Sequence, residues 1–327
     1  VKNLRVEGSD VSLEVELGYP ADSAVPALRQ QVIDAVRAVP GVRNVSAHVG
    51  WKVIAHAVQR GVPLLPGVKN VVAVASGKGG VGKSTTTANL ALALAAEGAK
   101  VGILDADIYG PSQPVMMGIS GRPQSADGKT MEPMSNHGVE VMSIGFLVND
   151  DQAMIWRGPM ATQALDQLLR QTHWGDLDYL LVDMPPGTGD IALTLSQRVP
   201  LTGAVIVTTP QDIALLDAKK GLSMFEKVGV PILGIVENMA VYCCPNCGHT
   251  EHIFGADGGR RMAEQFKVDY LGALPLTMAI REQADSGRPT VVADPQSEVS
   301  GLYKAVARTV AIKICLLYTS DAADEGL

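Results

Sequence analysis

The chain has 327 residues, of which 46% are hydrophobic and 19% are charged, and its formal net charge is −7 at pH 7. This length accommodates one large domain or two modest ones with a substantial core. The acidic balance and the lack of basic runs argue against a nucleic-acid-binding surface, and no apolar run reaches the length of a membrane span. The four cysteines do not form a disulfide framework and no signal peptide opens the sequence, so we expect a cytoplasmic protein that binds neither nucleic acid nor membrane.

Residues 1–58 predict a small α+β domain. Apolar and polar residues alternate at 4–6 and 11–17, on either side of a Gly-Ser-Asp turn, which is typical of a β-hairpin. Helical spacing follows at 25–36, and a second alternating stretch lies at 42–49. This β-β-α-β order resembles the MIP18-like domain that precedes the ATPase in some iron–sulfur carriers. The segment contains no cysteine, and a protein-docking role and a simple folding unit both remain open.

The second domain, predicted at 68–312 after a Pro- and Gly-rich linker at 59–67, begins with a strand, a glycine loop and a helix. The loop matches the pattern G-x-x-x-x-G-K-[ST], in which backbone amides and the helix N-terminus bind phosphate oxygens. Lys83 would neutralise the β- and γ-phosphates, and the Ser84 hydroxyl would ligate Mg²⁺. The predicted nucleotide-binding residues of this segment are Gly77, Lys78, Gly79, Gly80, Val81, Gly82, Lys83, Ser84 and Thr85.

A second lysine, Lys78, follows the first glycine of the loop. The resulting sequence GKGGVGKST resembles the deviant Walker A motif of the MinD/ParA/nitrogenase-iron-protein class of dimeric ATPases. In that class the early lysine reaches the nucleotide of the facing subunit. The resemblance therefore implies an ATP-dependent homodimer in which Lys78 and Lys83 are both catalytic, whereas the residues alone also allow Lys78 to act only at its own site.

Two further predicted strands end in carboxylates, at Asp105 with Asp107 and at Asp183. The carboxyl ends of parallel strands form the ligand edge of an α/β sheet. The apolar strand that closes on Asp183 has the Walker B form, so Asp183 would hold Mg²⁺ directly or through water. The resemblance implies that Asp107 orients the attacking water in switch I and joins Ser84 at the Mg²⁺ site, while Asp105 supports the metal or the loop. Ordinary turn acids are the alternative.

The second half of the domain continues the alternation of strands and helices. The Pro- and Gly-rich loop at 184–190 is suited to switching with the γ-phosphate, to which Gly187 would present its backbone N–H. Buried strands at 203–207 and 232–236 predict an α/β fold, a doubly wound and mostly parallel sheet of the P-loop NTPase type. Asn238, just beyond the last of these strands, corresponds to the base-contacting asparagine of the resembling class.

Cys244 and Cys247 form a C-x-x-C pair, which directs two thiolates at one soft metal. Two ligands do not complete a tetrahedral site and the sequence has no second such pair, so a two-fold dimer would close a Cys₄ site. The segment also has a zinc-knuckle form, and a structural Zn²⁺ across the dimer is a rival. A single-chain Cys₂His₂ site with His249 and His252 needs unusually tight spacing, and thioredoxin-type redox chemistry lacks the right position in the fold.

From about residue 67 to residue 310 the chain resembles the Mrp/ApbC family of iron–sulfur carrier ATPases. That family binds a [4Fe–4S] cluster between subunits and delivers it to apoproteins, with slow ATP turnover as a switch. The resemblance implies ATP, Mg²⁺ and a [4Fe–4S] cluster as ligands, and a second copy, apo iron–sulfur proteins and a cluster-assembly scaffold as partners. The motifs that carry it are GKGGVGKST (77–85), LDADIYGPS (104–112), WRGPM (156–160), DMPPGTGD (183–190), TTPQDIAL (208–215), VENM (236–239) and CPNCG (244–248).

Two other classes of function remain open. A MinD/ParA-type positioning ATPase with a zinc clasp at the C-x-x-C should show an amphipathic membrane helix or a basic DNA-binding face, and neither is visible. A small-molecule kinase or ligase with the same loop offers no reason for the C-x-x-C. The chain starts in mid-pattern, so we expect a truncated N-terminus, and residues 315–327 resemble a translated sequencing adapter, so we expect a non-native tail.

Overall fold

The computed structural model describes residues 1–56, 61–147, 158–244 and 246–324. Trp156 and Arg157, which open the WRGPM motif, and Pro245, which lies inside the C-x-x-C, fall outside these ranges.

The N-terminal domain is a three-stranded sheet with one helix. Strand β1 pairs antiparallel with β2, and β2 pairs in parallel with β3. The buried side chains of Val11, Leu13 and Ala47 form its small core, against which helix residues Val32 and Val36 pack. The predicted β-β-α-β order is confirmed. The elements are β1 (Lys2–Glu7), β2 (Asp10–Leu17), α1 (Val25–Arg37) and β3 (Asn44–Trp51).

The second domain is built on an eight-stranded sheet with the order β13-β10-β9-β4-β8-β5-β7-β6. All neighbouring strands are parallel except the edge pair β6 and β7. The predicted mostly parallel sheet is therefore confirmed. Its strands are β4 (Val68–Ala75), β5 (Val101–Asp105), β6 (Met134–Asn136), β7 (Val139–Ser143), β8 (Leu177–Asp183), β9 (Gly203–Thr208), β10 (Ile232–Glu237) and, after the two-stranded hairpin β11 (Tyr242–Cys243) and β12 (Thr250–Glu251), β13 (Tyr270–Ala273).

Helices cover this sheet on both faces. Every residue of β5, β8 and β9 is buried, and because side chains alternate between the two faces of a strand, both faces must be covered. None of the described helices is both long and apolar enough to cross a membrane. The helices are α2 (Lys83–Ala96), α3 (Gln113–Met116), α4 (Gly158–Gln171), α5 (Asp190–Arg198), α6 (Asp212–Lys227), α7 (Gly258–Phe266), α8 (Met278–Asp285), α9 (Thr290–Ala293) and α10 (Glu298–Asp324), with a 3₁₀ turn at Ile144–Phe146.

The strand order brings three chain segments together at the carboxyl edge of the sheet. Strand β8 lies between β4 and β5, so the glycine loop after β4 is next to the end of β8, which is next to the end of β5. In the register of the sheet, Asp183 lies opposite both Val74 and Asp105. Segments that are distant in the sequence thus meet at one edge of the sheet.

One of the contacts between the two domains is polar and lies at the C-terminal end of α2. The buried carboxylate of Glu97 accepts hydrogen bonds from the Ser23 backbone N–H at 3.0 Å and the Ser23 hydroxyl at 2.6 Å. Arg308 of α10 donates to the same carboxylate at 2.8 Å. The backbone N–H of Asp22 donates to the Glu97 carbonyl at 3.3 Å.

Candidate functional site

The glycine loop connects β4 to α2 through backbone conformations that favour glycine. Gly80 and Gly82 have φ values of +80° and +82°, in the left-handed region, and Gly82 immediately precedes the first residue of α2. A Cβ at Gly77 would collide with the backbone of Asp217 and Ala218 in α6, so this position accepts no larger residue. Glycine is therefore favoured at Gly80 and Gly82 by the backbone conformation, and it is required at Gly77 by close packing.

The loop encloses a cavity of about 200 Å³ at the N-terminus of α2. Eight of the predicted site residues lie around it, and four residues that the prediction did not include complete its wall: Ser76, Ser112, Met116 and Pro186. The predicted residues that line it are Lys78, Gly79, Gly80, Gly82, Lys83, Ser84, Thr85 and Asp107.

Lys83 is the buried cation of the site. Its Nζ donates to Asp183 Oδ1 at 2.5 Å and to Ser84 Oγ at 3.2 Å, and the side chain is only 6% exposed. Lys83 and Asp183 are the P-loop lysine and the Walker B acid that the motifs predict. The fold brings these two residues together. A buried ion pair needs such further hydrogen bonds to offset the cost of removing both charges from water.

Asp183 divides its two oxygens between different partners. Oδ1 accepts from Lys83 and from the Thr87 hydroxyl at 3.2 Å, whereas Oδ2 accepts from Gln113 Nε2 at 2.9 Å. The same Gln113 nitrogen donates to the Ser84 carbonyl at 3.1 Å. The carboxylate is therefore fixed in rotation by groups on two different segments.

Asp105 supports the loop that follows β5. Its fully buried carboxylate accepts from the backbone N–H groups of Asp107, Ser112 and Gln113 at 3.2, 3.0 and 3.1 Å, and from the Ser143 hydroxyl at 3.1 Å. Burial, and then the neighbouring charge of Asp183, raise the pKa of Asp105 to about 7. Of the two roles predicted for Asp105, the structure shows the support of the loop.

Asp107 stands at the cavity wall and is half-buried. Burial raises the pKa of its carboxyl group, the Lys83 charge opposes that rise, and the charge of Asp183 adds to it. Its position suits a group that orients water, although the catalytic role itself stays a prediction.

Lys78 also lines the cavity, and its ammonium has no carboxylate partner in the described parts of the chain. Its carbonyl accepts a hydrogen bond from the Ser76 hydroxyl at 2.8 Å, which fixes the start of the loop. Lys78 is half-buried beside the cavity, and its reach to the nucleotide of a facing subunit stays a prediction.

Two predicted ligand groups are engaged elsewhere. The Gly187 backbone N–H donates to the Ser76 carbonyl at 2.9 Å, so it must leave that partner to reach a γ-phosphate. The Asn238 side-chain amide donates to the Val81 carbonyl at 2.8 Å and so fixes the position of the glycine loop. A Cβ at Gly82 would collide with this amide, so Asn238 packs directly against the loop. Its contact with a base stays a prediction.

The residues present fit a magnesium nucleotide. Lys83 Nζ donates to both Ser84 Oγ and Asp183 Oδ1, so two of the three predicted Mg²⁺ ligands already flank one positive charge. Asp107 lines the adjoining cavity, and oxygen ligands of this kind are those that Mg²⁺ prefers. Ser84, Asp107 and Asp183 are thus suitable ligands for the cation.

The cysteines lie on the β11–β12 hairpin. Cys243 and Cys247 are exposed and Cys244 is half-buried, and all three are free thiols. The backbone N–H groups of Asn246 and Cys247, and the Cys247 side chain, hydrogen-bond to Cys244 and lower the pKa of its thiol. Opposing backbone bonds between Cys244 and His249 at 2.8 Å, and between Gly248 and Cys244 at 2.9 Å, close the hairpin.

No single-chain metal site forms among the described residues, where no three His, Cys, Asp or Glu side chains are grouped to hold an ion. His252 Nδ1 lies 2.7 Å from the Ala240 carbonyl. The Cys₂His₂ alternative with His249 is therefore not supported, and the C-x-x-C has two ligands to offer.

Sequence reasoning missed Gln113, Thr87 and Ser112. Gln113 follows directly after the LDADIYGPS motif, and its role depends on β5 and β8 being neighbours, which no local pattern reveals. Thr87 lies one helical turn after Lys83 on α2, so the i, i+4 spacing offered a signal.

The strand, glycine loop and helix, with a buried lysine paired to the acid of the adjacent strand, define a P-loop NTPase. Residues 67–311 match the NUBPL iron-transfer P-loop NTPase family, and residues 1–49 match the family described as iron–sulfur cluster assembly protein. The chain belongs to the NUBPL iron-transfer P-loop NTPase family.

Individual relatives agree with this assignment. The iron–sulfur cluster carrier protein of Pseudomonas fragi is 60% identical over 277 residues, which cover 84% of this chain and 96% of that protein. The iron–sulfur cluster transfer protein NUBPL of Mus musculus is 54% identical over 256 residues, or 77% of this chain and 80% of that protein. A nucleotide-binding protein of Archaeoglobus fulgidus, solved in complex with ADP, is 39% identical with a TM-score of 0.62, covering 71% of this chain and 90% of that one. The resemblance to iron–sulfur carrier ATPases and the predicted fold class are confirmed.

Proposed function

We propose that this chain is a cytoplasmic, homodimeric ATPase that holds a [4Fe–4S] cluster between the C-x-x-C pairs of two subunits and transfers it to apo iron–sulfur proteins. The observation that carries the proposal is the hairpin with Cys244 and Cys247. It offers two accessible thiols, one of them with a lowered pKa, and among the described residues no three His, Cys, Asp or Glu side chains are grouped to hold an ion. A second copy related by a two-fold axis provides the other two thiolates of a Cys₄ site.

The nucleotide site supports an ATP-dependent version of this proposal. Backbone amides of the glycine loop and the N-terminus of α2 bind the phosphates, and Lys83 turns from Asp183 to the β- and γ-phosphate oxygens. Ser84, Asp107 and Asp183 hold Mg²⁺, which when bound neutralises charge on the phosphates. Asp107 orients the attacking water, and Lys78 reaches the nucleotide of the facing subunit.

The relatives support the cargo. The proteins of Pseudomonas fragi and Mus musculus are named for carrying or transferring iron–sulfur clusters, and the Archaeoglobus fulgidus protein holds ADP. We extend both properties to this chain. Hydrolysis relaxes the loops at 105–113 and 184–190, and this change biases the dimer between holding and releasing the cluster.

The test is anaerobic reconstitution with iron and sulfide, comparing the wild type with Cys244→Ala/Cys247→Ala by visible absorbance and by iron content per dimer. Cys243→Ala is the matched control, because it removes a neighbouring thiol of the same hairpin outside the C-x-x-C. About four irons per dimer, lost in the double variant and kept in the control, support the bridging [4Fe–4S] site. Tightly held zinc without iron uptake would favour a structural clasp in a MinD/ParA-type regulatory ATPase.

A further inference from the structure

Gln113 joins three parts of the nucleotide site although it belongs to none of the predicted motifs. Its backbone N–H donates to Asp105 Oδ2 at 3.1 Å. Its side-chain Nε2 donates to Asp183 Oδ2 at 2.9 Å and to the Ser84 carbonyl at 3.1 Å. The residue is fully buried, so each of these contacts is shielded from water.

The contacts fix which way the amide of Gln113 faces. Both partners of Nε2 are acceptors, so the reversed amide would place its oxygen against a carboxylate and a carbonyl. In the orientation present, Oε1 is buried and has no hydrogen-bond donor among the described residues. Within the same ranges, the hydroxyl of the adjacent Ser112, which lines the cavity, also lacks a partner. Buried acceptors are rarely left unpaired, so a water or another polar group is expected beside these atoms.

The division of the Asp183 oxygens shows what Gln113 achieves. With Oδ2 held by Gln113, Oδ1 is the oxygen directed at Lys83 Nζ, and that ammonium also contacts Ser84 Oγ. Through the Ser84 carbonyl, Gln113 further ties the first turn of α2 to the loop after β5. Removing the amide frees the carboxylate to rotate and loosens the spacing between Ser84 and Asp183, two of the three predicted Mg²⁺ ligands.

We propose that Gln113 is a positioning residue for the magnesium site: its Nε2 orients Asp183 and Ser84, and its Oε1 accepts a hydrogen bond from a water of the hydrated cation. The inference rests on the proposed binding of a magnesium nucleotide. Hydrogen-bond partners of metal ligands orient those ligands, and their loss typically weakens metal binding by about 10–100-fold.

The experiment compares Gln113→Met, which keeps the length of the side chain but not its amide, with the wild type. Mn²⁺ is the metal probe, and free Mn²⁺ is measured by electron paramagnetic resonance in the presence of ADP. A fluorescent ADP analogue in excess chelator gives nucleotide affinity without metal. The matched control is Gln283→Met, since Gln283 also has a buried Oε1 with no partner in the described part of the chain and lies on α8, which packs against α3.

We expect Gln113→Met to weaken Mn²⁺ binding by about 10-fold or more, and to change metal-free ADP affinity by less than about 3-fold. Gln283→Met should match the wild type in both measurements. Wild-type Mn²⁺ affinity in Gln113→Met, or an equal loss of metal-free ADP binding, would overturn the inference while leaving the proposed function intact. A wild type that binds no ADP at all would overturn the proposed function and this inference together.

A second variant tests the proposal if Gln113→Met does not fold. Gln113→Asn keeps an amide but shortens the side chain by one methylene, so it cannot reach Asp183 Oδ2 and the Ser84 carbonyl from the same backbone position. It should lose Mn²⁺ affinity as well. Full Mn²⁺ affinity in folded Gln113→Asn, judged by circular dichroism, would also contradict the positioning role.

Discussion

The Lys83 ammonium and the Asp183 carboxylate lie 2.5 Å apart, although 100 residues separate them in the sequence. The contact joins the first residue of α2 to the last residue of β8, and Lys83 also lines the cavity beside the glycine loop. Asp183 also stands opposite Asp105 in the sheet. The positive charge of Lys83 therefore acts on two buried carboxyl groups. The pair therefore has a structural role in the nucleotide-free protein, beside the binding role that we propose for it.

Replacing Lys83 by Ala should destabilise the nucleotide-free protein. Asp183 and Asp105 would then be buried without a compensating cation, and breaking a buried pair in this way typically costs about 3–5 kcal/mol. Lys83→Ala/Asp183→Asn removes both charges and should be less destabilised than the single variant. Urea unfolding of both, in chelator, measures the difference. A single variant as stable as the double variant would contradict the structural role of the pair.

The same variant tests whether nucleotide binding controls cluster transfer. Lys83→Ala should abolish delivery of the cluster to an apoprotein, because it removes the charge that binds the β- and γ-phosphates. Cys244 and Cys247 should still hold the metal, since the hairpin lies on a different segment. Iron content before mixing, and recovery of activity in a recipient apoprotein after mixing, separate the two steps. Unimpaired delivery by the variant would rule out the coupling.

Asp105 should make stability depend on pH near neutrality. Because burial and Asp183 raise its pKa to about 7, the folded protein binds a proton between about pH 4 and 7 that the unfolded chain has released. The free energy of unfolding should fall as pH rises through this window, by up to about 1.4 kcal/mol per pH unit. Asp105→Asn should flatten that slope. Urea unfolding at pH 5, 6, 7 and 8 in chelator is the measurement, and an unchanged slope would contradict the prediction.

The elements of the site that lie within one motif could be predicted from the sequence, and those that depend on strand order could not. Strand, loop and helix around Lys83 follow from hydrophobic runs and glycine spacing, and the Walker B pattern indicates Asp183. The bridge through Gln113 requires β5 beside β8, and the hydrogen bond from Asn238 to the glycine loop requires the end of β10 close to that loop. Such contacts are set by topology, which short sequence patterns do not encode.

Cys244 should react with alkylating agents at lower pH than an ordinary thiol. Hydrogen bonds from Asn246 and Cys247 lower its pKa, so a larger fraction is thiolate at neutral pH, and the thiolate is the nucleophile. Iodoacetamide labelling of the metal-free protein from pH 6 to 9, read by mass spectrometry of the cysteine peptide, gives the apparent pKa. The same chain in guanidinium chloride is the control, because the backbone bonds are lost there. Equal profiles in the two conditions would show that the hairpin does not activate the thiol.

We expect the Glu97 carboxylate to hold the N-terminal domain against the second domain, and we expect low pH to weaken this contact. Burial alone would raise its pKa, but hydrogen bonds from Ser23 and Arg308 outweigh burial and lower it. The ionised group therefore contributes stability above about pH 4.5, the ordinary range of a glutamate, and loses that contribution as pH falls below it.

Glu97→Ala should lower the free energy of unfolding by about 1–3 kcal/mol at pH 7, since Ser23 and Arg308 lose a charged acceptor, and the loss should shrink below about pH 4. Urea unfolding at both pH values measures this. Hydrogen exchange locates the effect, because the Ser23 amide bonds the side chain that is removed, whereas the Asp22 amide bonds the Glu97 carbonyl that remains. Faster exchange at Ser23 than at Asp22 means a local loss of the anchor, and equal acceleration at both means that the whole contact opens. Unchanged exchange at both would show that Glu97 does not hold the domains together.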